Sequence, residues 1–396
     1  MKDYAGKRIL IIVENLPVPF DRRVWQEATS LREAGNEVSV ICPKTTEYPK
    51  ATEVLDGVYI YRHALPFEAK GSFGYLLEYA WALAMQTFLT WKIFFTKGFD
   101  VIHACNPPDL IFLVALPFKL LFGKRFVFDH HDINPELYIA KFGKKGLVYQ
   151  LLIFAEYLTF KLADISIATN ESYKEIAITR GQMKAQDVYV VRSGPDLSRL
   201  EAVEPVESHR KNRKFLIGYI GVIGTQEGID HLLQVVDHLV NKRGRQDIQF
   251  VIMGAGPSLG DMIQLSAEMG LEEYVDFPGR VSEIYLKEVL STSDVCVNPD
   301  VFNEMNDKST MNKIMEYMSF AKPIVQYDLK EGRFSAADAS LYAKPNDIVD
   351  FSEKIESLLD DEATRVRMGE YGYHRVRERL SWEFSRQTLL NAYASL

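Results

Sequence analysis

Short apolar runs of strand length alternate with helix-length amphipathic segments along nearly the whole of this 396-residue chain, and that alternation constrains the fold more than any other feature. Arg8–Glu14 (RILIIVE) is the continuous apolar run that a strand buried on both faces needs. VWQEATSLREAG follows as a helix closed by Gly35, then EVSVICP as a strand. GVYIYRHAL, DVIHACNPPD, RFVFDHHD, ADISIATN and DVYVVRSG continue the strand series, with helical segments between them. The polar, aperiodic, proline-bearing segment RSGPDLSRLEAVEPVESHRKNRK reads as a linker. After it the alternation restarts with FLIGYIG, IQFVIMGAG, YVDFPGR, DVCVNPD, KPIVQYD and ASLYAKP. The expectation is an α/β protein of two doubly wound parallel domains facing a cleft, over 1–196 and 214–376, with a linker at 197–213. A last amphipathic helix over 377–396 packs toward the first domain. Ligands of such sheets bind at the carboxyl ends of the strands.

Composition narrows the function classes. A formal charge of −8 argues against a nucleic-acid partner. Cys42, Cys105 and Cys296 are far apart, each in or beside an apolar run, which suits a reducing cytoplasm and offers neither a disulfide framework nor a metal spacing. The apolar run at the N-terminus is too short for a signal peptide. The greasy stretch Tyr75–Phe95 is interrupted by Glu78, Gln86 and Lys92, and Leu110–Phe122 by Pro117 and Lys119. Both read as buried helices rather than spans. The alternative is a helix on the inner face of the cell membrane, because Trp81, Trp91, Phe94 and Phe95 are interfacial residue types.

GYIGVIGTQEGIDHLLQ, FVIMGAGP, VDFPGRV, DVCVNPD and EYMSFAKPIV occur in an order and spacing that resemble the family 4 glycosyltransferases. LREAGNEVSVICP, DVIHACNPPD and FVFDHHDINPE resemble first-half segments of the same family. The resemblance runs from about Arg8 to the C-terminus. It implies the GT-B fold, with a nucleotide-diphosphate-sugar donor on the second domain and a glycan or lipid-linked acceptor on the first. It also implies transfer with retained anomeric configuration, no metal and no cofactor beyond the donor, in cell-surface polysaccharide assembly. No Asp-x-Asp stands between strand-like runs to hold a divalent cation.

The stretch NDKSTMNKIMEYMSFAKPIV carries the family's second glutamate as Glu316, a ribose-hydroxyl ligand by resemblance. The position of the first glutamate holds Lys308, a departure. Lys308, Ser309, Thr310 and Lys313 ahead of a helix suit a diphosphate seat; the plainer reading is a capped, solvated helix start. In GVIGTQEGID the family's basic residues are replaced by Val222 and Glu227, while Gly221 and Gly224 permit close backbone approach to phosphate or simply make a tight turn. Arg280 is a further candidate cation for the donor. Asp21, Arg22 and Arg23 follow the first strand as substrate ligands, or as an Asp-capped helix with exposed arginines. His131 with Asp132 matches a histidine near the donor sugar and acceptor, and with Glu316 is the catalytic candidate; His103 and Asn106 are weaker ones. Two other functions stay open: a nucleotide-sugar epimerase on the same fold, and a catalytically idle binding protein.

Overall fold

A computed structural model of the protein describes residues 5–64, 71–197 and 199–396, with backbone only for 71–76; residues 1–4, 65–70 and 198, the last inside the expected linker, lie outside the described residues. The chain divides into two units, Met1–Ser193 with Glu383–Leu396, and Gly194–Trp382.

Unit 1 contains β1 (Arg8–Ile12), α1 (Arg22–Glu33), β2 (Glu37–Pro43), β3 (Thr52–Leu55), β4 (Val58–His63), α2 (Gly71–Thr96), β5 (Val101–Cys105), α3 (Phe112–Phe122), β6 (Arg125–His130), α4 (Asn134–Phe142), α5 (Leu147–Leu162), β7 (Ile165–Ala168), α6 (Glu171–Thr179) and β8 (Val188–Val190). Its sheet runs β3-β4-β2-β1-β5-β6-β7-β8. The pairs are parallel except β3 with β4, a hairpin that the alternation did not foretell. The order reverses between β1 and β5, so their carboxyl ends mark the ligand position of such a sheet.

Unit 2 contains β9 (Phe215–Ile220), α7 (Ile229–Asp237), β10 (Ile248–Met253), α8 (Leu259–Glu268), β11 (Val275–Gly279), α9 (Glu283–Thr292), β12 (Val295–Asn298), α10 (Glu304–Lys308), α11 (Asn312–Ser319), β13 (Ile324–Tyr327), α12 (Lys330–Ala336), β14 (Ser340–Ala343), α13 (Ile348–Asp360) and α14 (Glu362–Arg375). Its parallel order is β11-β10-β9-β12-β13-β14, with the reversal between β9 and β12. Strands β9 and β10 are buried along their whole length, which is why they read as unbroken apolar runs. The final helix α15 (Trp382–Ala394) belongs, from Glu383 on, to unit 1. There Arg386 pairs with Glu33 of α1 at 3.1 Å.

The segment expected as a linker is tied down instead. Val203 N donates to Ser291 Oγ (3.0 Å) and Val206 N to Thr292 Oγ1 (2.8 Å), while Arg210 pairs with Asp294. Its backbone donors find partners at the end of α9, so unit 2 starts at Gly194 rather than 214.

Among the described residues no helix is long and apolar enough to cross a membrane. Trp91 and Phe94 of α2 are half-buried, packed in an aromatic cluster with Phe99, Phe118 and Phe122. Trp81 and Phe95 are exposed.

Candidate functional site

In unit 1 the period-two alternation of β6 sends Asp129 to the α1 face of the sheet and His130 to the opposite face, against Phe160 of α5. Asp129 is fully buried and gathers charge from three elements. Arg23 of α1 donates from Nη2 to Asp129 Oδ1 at 2.8 Å and pairs with Glu27, one helical turn on, at 3.1 Å. His131 Nε2 lies 2.5 Å, and His103 Nε2 3.3 Å, from Asp129 Oδ2. Tyr393 of α15 lies 2.7 Å from His103 Nδ1.

The charge states follow from these contacts. Despite burial, the Arg23 guanidinium and the histidines hold the Asp129 carboxyl well below its usual range. Burial, with the Asp129 charge beside it, pushes Glu27 well up, so Glu27 is the protonated acid of the pair. Burial lowers His103, so its imidazole is neutral. An ionised carboxylate only accepts, hence His103 carries its proton on Nε2 and its Nδ1 accepts from the Tyr393 hydroxyl. His131 Nε2 is held by two groups at once, Asp129 Oδ2 at 2.5 Å and Arg23 Nε, which donates to it at 2.9 Å. These contacts fix the ring through Nε2 and turn Nδ1 away from the cluster.

Glu27 provides a test of this assignment. An acid whose folded value is raised stabilises the fold below its unfolded value, near 4.3, and that contribution is lost as pH rises through the raised value. Glu27→Gln keeps the neutral shape. Its stability to urea is therefore expected to decline less steeply from about pH 4.5 upward than that of the wild-type protein, since the other raised carboxyls remain in both. Parallel profiles for the two proteins would show that Glu27 is ionised in the fold.

Asn106 organises the adjoining loop. Its Oδ1 accepts from His131 N (2.7 Å) and Asp132 N (3.2 Å), and its Nδ2 donates to Asp132 O (2.6 Å) and Asp109 Oδ1 (2.8 Å). Asp132 is half-buried, pushed up by burial, and accepts from Asn15 at 3.4 Å. Glu14, directly after β1, is pushed up to about 7 by burial and by Glu78, and Asp109 to about 7 by burial and by Glu156. Carboxyls near half-protonation both donate to and accept from hydroxyls, which suits a polyol ligand.

Asp21, Arg22 and Arg23 separate. Asp21 caps α1 by accepting from Val24 N at 3.1 Å, and Arg22 is exposed. Arg23 is 8% exposed inside the Asp129 cluster, also donating to Val191 O at 2.6 Å. Arg23 thus corrects the picture of two exposed arginines: a fork that pairs with phosphate pairs equally with a buried carboxylate.

His103–Cys105–Asp129 and Glu27–Asp129–His131 are, among the described residues, the triads close enough to share a cation. The positive charge is already supplied by Arg23, and burial pushes the Cys105 thiol well up, so it stays a thiol. The donor set fits an arginine-centred cluster better than a metal.

In unit 2 the turns after β9 and β10 touch backbone to backbone. Gly254 has φ 152°, and a Cβ there would stand 1.8 Å from Gly221 O. A Cβ on Gly228, with φ 62°, would stand 2.1 Å from Pro299 O, beyond β12. These glycines let three loops close at the sheet's reversal point; Gly254 and Gly228 were absent from the sequence candidates. Gly221 lies against Tyr219 and Lys313, and Gly224 against Glu227.

Lys313 is drawn inward. Its Nζ lies 2.9 and 3.1 Å from the Asp300 carboxylate and 3.4 Å from the Tyr219 hydroxyl. Burial opposes its charge, yet Asp300 holds the ammonium above its usual range. Glu227 is raised by burial and then by Asp300.

Lys308 is corrected. The stretch is not one helix start: α10 is capped by Asn303, accepting from Asn306 N at 2.9 Å, and ends at Lys308, whose Nζ pairs with Glu304 at 2.7 Å. A cation at a helix carboxyl end is favourable without any ligand. Ser309 Oγ donates to Met305 O at 2.7 Å, Thr310 is half-buried in the break, and α11 starts at Asn312. Glu316 is half-buried on α11, one turn past Lys313. Arg280 is exposed after β11, two strands from β9.

Two Rossmann-like units with loop sites at the carboxyl ends of their reversal strands define the GT-B class of proteins. The chain belongs to the family 4-type glycosyltransferases: residues 21–199 match the profile described as Glycosyltransferase Family 4, and residues 214–361 match Glycosyl transferases group 1. It is 27% identical over 235 residues to a 2-deoxystreptamine glucosyltransferase of Streptomyces kanamyceticus, covering 54% of this chain and 58% of that relative. Against a second relative from that organism the match spans only 39% of the relative's length. In fold it is similar to a sucrose-phosphate synthase from Thermosynechococcus elongatus (TM-score 0.77, 18% identity, 98% of each chain). It is also similar to Anabaena HepE, solved with UDP-glucose (TM-score 0.76, 15% identity, 99% of this chain and 100% of that one).

Proposed function

We propose that the protein moves a sugar, with retention and without a metal, from a nucleotide-diphosphate-sugar on unit 2 to a glycan or lipid-linked acceptor on unit 1. The setting is cell-surface polysaccharide synthesis at the cytoplasmic membrane face. The observation that carries the reading is His131 just past β6, its ring fixed through Nε2 by Asp129 and Arg23 so that Nδ1 is the atom offered to a sugar hydroxyl. The carboxyls Glu14, Asp109 and Asp132 around it supply further hydroxyl partners. On unit 2, Lys313, the start of α11 and the glycine turns would receive the diphosphate, and Glu316 the ribose, as in the variant of the family motif whose first glutamate is Lys308. The neighbour solved with UDP-glucose supports a uridine donor. A binding protein without turnover is favoured by one observation, the engagement of Lys313 by Asp300.

Thermal unfolding against UDP, GDP, ADP and CMP separates the two. A nucleotide at about a hundred times its dissociation constant adds about 2.7 kcal/mol. UDP is expected to shift the midpoint, and Glu316→Ala to lose the shift. His131→Ala is expected to keep the shift while abolishing transfer from the matching nucleotide sugar. Full transfer by His131→Ala would remove that histidine from the reaction, and the absence of turnover with any nucleotide sugar would leave the binding-protein reading.

A further inference from the structure

Helices α2, α3 and α5 cover the face of unit 1's sheet opposite α1, with α3 packed against both of the others. Each buries one stripe, as expected: Ile93 on α2, Phe118 on α3 and Phe160 on α5 are within 1% of full burial. Their outward stripes are not polar. Phe88 and Phe95 are 61% and 76% exposed, Leu120 and Leu121 70% and 71%, and Leu147 and Leu151 76% and 56%. A surface helix of a globular protein normally turns charged residues outward, and isolated soluble proteins seldom expose contiguous apolar patches beyond a few hundred Å².

Three of the cations near these stripes are already paired, Lys119 and Arg125 with Asp164 at 2.8 and 3.0 Å and Lys124 with Asp100 at 3.6 Å. Exposed Lys92, Lys144, Lys145 and Lys161 stand on or between the same helices, and the one acid of residues 137–162, Glu156, is buried and bound by Arg180. In a chain of net charge −8 this is a local reversal.

We propose that this face docks on an anionic phospholipid bilayer, with the leucines and phenylalanines entering the interface and the lysines meeting headgroup phosphates. Apolar area plus electrostatic attraction is what holds a peripheral protein there, and each lysine near such a surface contributes about 1 kcal/mol. A second copy of the chain is a poorer occupant: a two-fold contact would set lysine against lysine, and the cores of protein interfaces are depleted in lysine. Phe95 and Trp81 keep the membrane-facing role that their residue types suggest. The main contact moves to α5 and to α3, whose segment Leu110–Phe122 the sequence alone assigns to the interior. The inference rests on the proposed reaction at the membrane face, but its test does not read that reaction.

The test is co-sedimentation of the full chain with vesicles of phosphatidylcholine alone and of phosphatidylcholine with phosphatidylglycerol. The wild-type protein is expected to bind the anionic vesicles and to be released by salt. Leu120→Glu with Leu121→Glu is expected to weaken binding at least about tenfold, and Lys144→Glu with Lys145→Glu to do the same. All four side chains are exposed, so the variants keep the wild-type unfolding midpoint. Wild-type protein that stays in the supernatant with anionic vesicles overturns the proposal. So does a dimer that Leu120→Glu with Leu121→Glu dissociates while vesicle binding is unchanged. Absence of transfer to any acceptor alongside vesicle binding would count against the proposed function and leave the docking surface standing.

Discussion

Asp129→Ala is expected to destabilise unit 1 by about 3–5 kcal/mol, the cost of leaving a buried cation without its partner. Arg23 is 8% exposed and Asp129 fully buried, so water cannot replace the lost carboxylate. The substitution also removes the carboxylate that holds the His103 and His131 rings, 3.3 and 2.5 Å away. Arg23→Met together with Asp129→Leu removes both charges and is expected to recover much of the loss, the mark of an ion pair rather than a packing defect. Urea unfolding of the three proteins measures this, and a loss under about 1 kcal/mol in Asp129→Ala would contradict the buried cluster. The pH dependence has its own sign. Because the folded value of Asp129 is depressed, its contribution is present above the unfolded value, near 3.9, and is lost as pH falls through the folded value. The wild-type protein is therefore expected to weaken in acid below about pH 4 more steeply than Asp129→Leu with Arg23→Met.

Lys313→Ala is expected to cost unit 2 a comparable amount, about 3–5 kcal/mol, because Asp300 is 1% exposed and would lose its counter-charge. Loss of nucleotide binding in this single variant would therefore say little about ligand contact. Lys313→Met with Asp300→Leu restores neutrality and is expected to recover most of the stability. If Lys313 also faces the diphosphate, the double variant unfolds near the wild-type midpoint yet gives no shift with UDP. A full UDP shift in the double variant would make the pair purely structural and leave the start of α11 and the glycine turns as the anion site.

The two catalytic candidates differ in how far local sequence could place them. Glu316 was readable because its neighbours are local: a helical period and the following Lys-Pro-Ile-Val strand position it. His131 was readable as a loop residue beyond a strand, but what orients it was not. Asp129, only two residues before it, reads as one more polar residue in an apolar run. Its partners come from α1, β5 and the loop after β6, and Tyr393 of α15 lies 290 positions from His103, the histidine it binds. No periodicity encodes such a meeting. The helix break at Lys308 was unreadable for the opposite reason. The same six or seven residues suit one helix start or two helices with a break, and Asn303 as a cap, together with the loop bonds from Asn306 to Gln226 and Val301, selects the second.

The sequence by itself determined the class of fold and its division into two units, because fully buried parallel strands must be unbroken apolar runs and their crossovers must be amphipathic helices. It also determined where the loops beyond the strand ends fall along the chain. Only the tertiary structure decided which charged residues are spent on each other. Arg23 and Lys313 read from sequence as free cations, yet a charge removed from water must take the nearest opposite charge, and that neighbour, Asp129 or Asp300, is set by strand order and register. It also decided that the apolar segments Leu110–Phe122 and Leu147–Leu162 leave leucines such as Leu120, Leu121, Leu147 and Leu151 in solvent. A helix that is hydrophobic all round does not announce which side it buries; its neighbours in the layer do.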